Sequence, residues 1–106
     1  MNVLIIEDEQ PAAKRLHKML KEIEPDINVL DSIVSVSTAI KWFAENKTPE
    51  LLFSDIQLSD GLSFQIFKSV NLNCPVIFTT AYDQYAIEAF KVNSLDYFLK
   101  KKKKDE

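Results

Sequence analysis

Short apolar segments that alternate with helix-like segments restrict the fold of this chain more than any other feature of its sequence. The first apolar segment, Val3 to Ile6, shows no polar alternation, and after Pro11 apolar residues recur every three or four positions. An apolar run of this length predicts a buried strand, and the spacing that follows predicts an amphipathic helix. The same order repeats, so strands are predicted at 3–6, 29–34, 51–53, 76–78 and 96–99.

A helix is predicted between each strand and the next. These helices begin at Pro11, at Ser35 or Ser37, near Leu62 and near Gln84. Apolar strands that are each followed by an amphipathic helix indicate a parallel sheet covered on both faces. A chain of 106 residues holds one core of this kind. We therefore predict one α/β domain, doubly wound around a five-stranded parallel sheet of the flavodoxin-like type.

Composition excludes several classes of function. The single glycine, Gly61, excludes both the GxGxxG dinucleotide turn and the GxxxxGK[ST] phosphate loop. One histidine and one cysteine cannot form a Cys/His zinc site or a disulfide framework. No apolar stretch approaches the roughly 20 residues that span a bilayer, so we predict a cytoplasmic protein with no membrane partner. The formal net charge is -3 even with five consecutive lysines at 100–104, so the body is acidic and does not favour nucleic-acid binding.

Polar residues follow the predicted strands at their carboxyl ends, where open α/β sheets bind ligands. They are Glu7 and Asp8 after the first strand, Asp55 after the third, Thr80 after the fourth and Lys100 after the fifth. Carboxylates that converge on one pocket repel each other unless a cation neutralises them. Oxygen ligands of this kind suit Mg²⁺, and a nucleophilic Asp55 would form an aspartyl phosphate.

Four segments of the chain resemble the receiver domain of bacterial two-component response regulators. In order, the segments are Val3-Leu4-Ile5-Ile6-Glu7-Asp8-Glu9, Leu51-Leu52-Phe53-Ser54-Asp55-Ile56, Thr79-Thr80-Ala81 and Tyr97-Phe98-Leu99-Lys100. The resemblance covers nearly all of residues 2–100. It implies a signalling domain rather than an enzyme, which accepts a phosphoryl group on Asp55 from a sensor histidine kinase and then switches conformation.

The resemblance also implies a role for each matching residue at the metal. Asp8 and Asp55 bind Mg²⁺ directly, Glu7 acts mainly through water, and the backbone carbonyl of Gln57 completes the protein ligands. Positioning and charge neutralisation are what phosphoryl transfer requires.

Three further residues are implied at the phosphoryl group. Thr80 hydrogen-bonds a phosphoryl oxygen, Lys100 pairs with Asp55 before transfer and with the phosphoryl group afterwards, and Tyr97 matches the aromatic switch position.

The stretch from Asp83 to Tyr97 is similar to receivers of LytTR-type transcription regulators. In those regulators a separate output domain binds DNA, so the resemblance implies that DNA is contacted only through a domain outside these 106 residues.

Two departures from the family pattern lie at the carboxyl end. Lys101 stands where the family usually has a proline, so we predict a trans 100–101 peptide bond, because a cis bond without proline costs about 2.5–4 kcal/mol. Only residues 101–106 remain for the family's fifth helix, which is predicted to be missing or replaced by a lysine-rich tail after a receiver domain at 1–100. Loss of this helix would uncover apolar surface, so we predict either self-association, for which a homodimer is one form, or reduced stability.

Other interpretations remain at this point. Glu7 to Glu9 alone could be a solvated helix start, and the lysine run could be a solvated tail or attract nucleic acid or membrane. A degenerate receiver would act as an interaction module without phosphorylation. A dehalogenase-type Mg²⁺-dependent phosphohydrolase needs a second aspartate at position 57, where this chain has Gln57. His17 is predicted to be a surface residue and Cys74 a buried one.

Overall fold

The structure is a computed structural model that describes residues 1–79 in full, together with the backbone of Thr80 and of Ser94–Leu99. Its elements are β1 (Asn2–Ile6), α1 (Gln10–Ile23), β2 (Asn28–Ile33), α2 (Val36–Glu45), β3 (Leu51–Asp55), β4 (Gln57–Leu58), β5 (Gly61–Leu62), α3 (Phe64–Ser69), β6 (Val76–Thr80) and β7 (Ser94–Leu99). No helix among the described residues is long and apolar enough to cross a membrane.

Five of the strands form one sheet in the order β2-β1-β3-β6-β7. Every pair of neighbouring strands in this sheet is parallel. The predicted α/β class and the five-stranded parallel sheet are therefore confirmed, and the strand order is that of a flavodoxin-like fold. Parallel strands need a crossover connection, and in this chain helices supply those connections that the structure describes.

Alternate side chains of β1 enter two separate cores, one on each face of the sheet. Val3 and Ile5 belong to a cluster with Ala13 and Leu20 of α1. Leu4 and Ile6 face the other way, into the larger cluster with buried residues of α2 and α3. These four residues are almost fully buried. The run lacks polar alternation because both faces of the strand are covered.

The larger core is organised around Phe78 in β6. Its ring makes edge-on contacts with Phe64, at 5.5 Å between centroids, and with Phe67, at 5.8 Å. Such edge-to-face pairs add to the stabilisation from burial. The helix α3 is therefore held against the sheet directly beside the strand end where Thr80 lies.

The third predicted helix begins later than the sequence indicated. Leu62 was predicted to be helical, but Gly61 and Leu62 pair antiparallel with Leu58 and Gln57 in a small hairpin. The helix α3 starts only at Phe64. Local apolar spacing could not show this difference, because the hairpin depends on pairing across a turn.

Other predictions agree with the structure or lie beyond it. Ser35 is the residue that caps α2, His17 is exposed and Cys74 is buried, as expected. The predicted helix near 84–90, the 100–101 peptide bond and the tail at 101–106 lie outside the described residues.

Candidate functional site

The parallel pairing of β1 with β3 brings the predicted carboxylates together. Ile6 lies opposite Ser54 in the sheet, so the residues that follow them, Glu7 and Asp55, leave the same edge at the same level. Because neighbouring parallel strands point in one direction, residues far apart in the sequence meet at this edge. The fold therefore forms an acidic pocket from two short sequence segments.

Glu7, Asp8 and Asp55 each offer a carboxylate oxygen, and these oxygens lie within 4.8 Å of one another. Glu7 is 3% exposed and Asp55 is 8% exposed, while Asp8 is partly exposed. The pocket thus has two buried carboxylates and one that faces solvent more openly. We refer to these three residues as the acidic cluster.

Backbone hydrogen bonds fix the orientation of the cluster. The Ile56 N–H donates to Asp55 Oδ1 at 2.8 Å, and the Glu9 N–H donates to Glu7 Oε2 at 3.2 Å. The Ser54 hydroxyl donates to the Asp55 carbonyl at 2.9 Å. The first two bonds hold the carboxylates of Asp55 and Glu7 in place before any ligand arrives, and such preorganisation favours binding and catalysis.

The residues of the acidic cluster fit a hard divalent cation. Mg²⁺ takes oxygen ligands at about 2.0–2.1 Å and usually keeps several waters. Oxygens within 4.8 Å of one another match a mixture of direct contacts and contacts through water. Buried carboxylates are costly unless their charge is compensated, so a cation at this point would also relieve repulsion.

The other residues predicted at the site are only partly described. Gln57 is exposed at the start of β4, two residues after Asp55. The backbone of Thr80 ends β6, whose preceding residue Thr79 lies opposite Asp55. Tyr97 lies in β7 opposite Phe78. The side chains of Thr80 and Tyr97, and all of Lys100, lie outside the described residues, so their roles stay predictions.

One carboxylate near the site was not recognised from the sequence. The sequence predicts no role for Asp60, yet its Oδ1 accepts the Val36 N–H at 2.7 Å and its Oδ2 accepts the Ser37 N–H at 3.1 Å. The bond from Val36, and then that from Ser37, hold the pKa of Asp60 below its usual range. An Asp-Gly pair indicates a turn, but nothing local shows a partner 24 residues away.

The larger of the two cavities described lies away from this chemistry. It has a volume of about 400 Å³ and is lined by Asn2, Asp31, Trp42 and Lys47 among others. Asn2 begins β1, so this cavity is at the amino end of the strands, opposite the acidic cluster. The candidate site is instead the acidic cluster at the carboxyl edge.

The parallel sheet with an acidic cluster at its carboxyl edge is the architecture of a receiver-type signalling domain, and the sequence comparison agrees. Residues 3–106 match the family "Response regulator receiver domain". The chain belongs to this family and is the receiver domain of a two-component response regulator. Receiver domains are signalling domains rather than classical enzymes, and they generally bind Mg²⁺ at an acidic pocket.

Its curated relatives include the sensory transduction protein LytT. The chain is 39% identical to LytT of Bacillus anthracis over 103 residues, which cover 94% of this chain and 41% of the relative. LytT of Bacillus subtilis (strain 168) is 36% identical, with 94% and 42% covered. The chain thus spans about two fifths of the length of these relatives, and the predicted similarity to LytTR-type receivers is confirmed.

Solved structures show the same fold. The response regulatory domain of MrkE from Klebsiella pneumoniae is 31% identical, with a TM-score of 0.78 over 94% of this chain and 83% of that one. A two-component response regulator from Clostridium difficile is 29% identical, with a TM-score of 0.79 and the same coverage.

Proposed function

We propose that Asp55 is the phosphoacceptor of this receiver domain and takes a phosphoryl group from a sensor histidine kinase. The observation that carries the proposal is the buried Asp55 carboxylate at the carboxyl end of β3, with oxygens of Glu7 and Asp8 within 4.8 Å. A carboxylate is a weak nucleophile, and it reacts usefully only where the surroundings position it and neutralise charge.

The transfer conserves atoms and charge. A carboxylate oxygen of Asp55 forms a bond to phosphorus while the bond from phosphorus to the imidazole nitrogen of the kinase breaks. The imidazole keeps the electron pair of that bond and takes up a proton. In the later hydrolysis, a water oxygen forms a bond to phosphorus while the bond from phosphorus to the Asp55 oxygen breaks. Inorganic phosphate leaves, and the electron pair of the broken bond stays on the restored Asp55 carboxylate.

We assign the metal ligands to the three residues of the acidic cluster and to Gln57. Asp8 and Asp55 would hold Mg²⁺ directly, Glu7 through water, and Gln57 through its backbone carbonyl. When bound, the ion supplies positive charge against the oxygens of the transferred group. The fixed carboxylate of Asp55 and its bond from the Ile56 N–H supply the positioning.

The readout of this chemistry is a conformational switch. Thr80 would donate to the phosphoryl group, Lys100 would pair with it, and Tyr97 would rearrange beside them. New charge at Asp55 would in this way shift the population of two conformations. In a cytoplasmic regulator the output would be transcription, through a separate DNA-binding domain of the LytTR type.

The test is the mass of the intact protein after incubation with Mg²⁺ and acetyl phosphate, a small phosphoryl donor that needs no kinase. We expect the wild type to gain one phosphoryl group, and we expect no gain in Asp55→Asn or without Mg²⁺. The matched control is Asp26→Asn, which changes an exposed carboxylate in the loop before β2 and should behave as the wild type.

Two results would contradict the proposal. An equal gain in Asp55→Asn would place the phosphoryl group on another residue. No gain in a folded wild-type protein would favour the alternative of a degenerate receiver that acts as an interaction module.

A further inference from the structure

Asp60 forms a bidentate contact with a helix that lies far from it in the sequence. Its two carboxylate oxygens accept the first two N–H groups of α2, from Val36 and Ser37. The third N–H of this helix, that of Thr38, donates to the Ser35 hydroxyl at 3.1 Å. Helix starts leave such N–H groups without partners inside the helix. A carboxylate there is favoured by the helix dipole as well.

The segment that carries Asp60 is the hairpin of β4 and β5, residues 57–62, which begins two residues after Asp55. The base of the hairpin is closed by the Ser63 N–H, which donates to the Ile56 carbonyl at 2.8 Å. Gln57 pairs with Leu62 across the hairpin. The base is thus anchored beside Asp55, and the contact of Asp60 with α2 anchors the tip.

The start of α2 is itself connected to the acidic cluster. The Glu7 N–H donates to the Ile33 carbonyl at 2.8 Å, and Ile33 is the last residue of β2, two positions before Ser35. Three chain segments therefore surround the site and are joined by hydrogen bonds: the end of β1, the connection from β2 to α2, and the hairpin. The contact of Asp60 with Val36 and Ser37 joins the hairpin to the start of α2.

We propose that Asp60 is a positioning residue for the metal site. By tying the hairpin to α2, it holds the backbone at Gln57 where its carbonyl can complete the ligands supplied by the acidic cluster. This inference rests on the proposed function. Asp60 does not touch the ion. It acts as the outer partners of metal ligands do, by removing the freedom of a group that binds directly.

The test measures Mg²⁺ binding by isothermal titration calorimetry with Mg²⁺ as the only ligand. We expect Asp60→Ala to weaken Mg²⁺ binding by about tenfold, the lower end of the effect of outer-shell partners. Asp60→Asn should be intermediate. Its Oδ1 can still accept from Val36, but the amide that replaces Oδ2 is itself a donor and faces the Ser37 N–H.

The matched control is Ser35→Ala, which removes another cap of the same helix and leaves the contact of Asp60 intact. If Asp60 only stabilised the fold, Asp60→Ala and Ser35→Ala would each weaken Mg²⁺ binding in proportion to the stability that the variant loses. We expect Ser35→Ala to stay within about twofold of the wild type, a change far smaller than an outer-shell partner causes.

Each outcome decides the inference. If the wild type binds Mg²⁺ and Asp60→Ala binds it equally well, or if Ser35→Ala weakens binding as much as Asp60→Ala does, Asp60 is not a positioning residue. Should Asp60→Ala fail to fold, the affinity of Asp60→Asn decides in the same way. A wild type that binds no Mg²⁺ would overturn the proposed metal site itself, and this inference with it.

Discussion

Two aspartates five positions apart illustrate how surroundings decide the role of an acidic residue. Asp55 is buried and lies among other carboxylates, so it suits a cation and a phosphoryl group. Asp60 is exposed and faces two backbone N–H groups of α2. We propose that the first residue carries the chemistry, whereas the second binds the hairpin to α2.

At the residue scale, the lowered pKa of Asp60 predicts a pH-dependent contribution to stability. The Val36 and Ser37 N–H groups hold this pKa below the ordinary value of 3.8. The unfolded chain therefore binds a proton at Asp60 at a higher pH than the folded protein does. The stabilisation is complete well above pH 3.8 and is lost as the pH falls through the folded pKa.

We therefore expect the destabilisation caused by Asp60→Asn to shrink as the pH falls from neutral to below 3.8. Urea unfolding at the two pH values measures it. The control is Ser35→Ala, which removes a cap that does not titrate, so its effect should be the same at both pH values. An effect of Asp60→Asn that does not change with pH would show that the charge of Asp60 is not what holds the contact.

At the element scale, the hairpin of β4 and β5 depends on one backbone conformation. Gly61 has a φ of +146°, a region that is essentially restricted to glycine. A Cβ atom at this position would also approach the Gln65 Oε1 atom to 2.9 Å. The only glycine of the chain therefore lies where the chain turns back from β3 toward α3.

We expect Gly61→Ala to destabilise the protein by about 1–3 kcal/mol, the usual cost of such backbone strain. Urea unfolding measures the loss. The double variant Gly61→Ala/Gln65→Ala, compared with Gln65→Ala alone, separates strain from steric contact with the side chain. Most of the loss of stability should remain when the double variant is compared with Gln65→Ala. If the double variant is instead as stable as Gln65→Ala, the contact with the Gln65 side chain, rather than backbone strain, is the cause.

At the scale of the whole molecule, the acidic cluster links metal binding to global stability. Its residues come from the ends of two central strands, and β1 places side chains in both cores. A ligand that binds only the folded state stabilises the whole domain by mass action. Repulsion among close carboxylates acts in the opposite direction while no cation is bound.

We expect Mg²⁺ at about ten times its Kd to raise the free energy of unfolding of the wild type by about 1.4 kcal/mol. Asp8→Asn should gain much less from Mg²⁺, and without Mg²⁺ it should be at least as stable as the wild type because one repulsive charge is gone. Urea unfolding with Mg²⁺ or with EDTA measures both effects, with Asp26→Asn as the control. Equal gains in Asp8→Asn and the wild type would exclude Asp8 as a ligand.

In the described part of the chain, the sequence by itself determined the alternation of the five sheet strands with helices, and the strand ends at which the carboxylates lie. These features follow from local periodicity and from the burial of apolar runs such as Val3 to Ile6, which neighbouring residues decide. The carboxylates of Glu7, Asp8 and Asp55 could be predicted to converge because parallel strands end at one edge.

Only the tertiary structure decided the hairpin that delays the start of α3 and the contact between Asp60 and α2. The hairpin needs Gln57 to pair with Leu62 across a turn, and Asp60 binds N–H groups 23 and 24 residues away. Such contacts leave no periodic signal in the sequence. They form only after the sheet and its helices have placed distant segments side by side, since strand register and loop path depend on the packed whole.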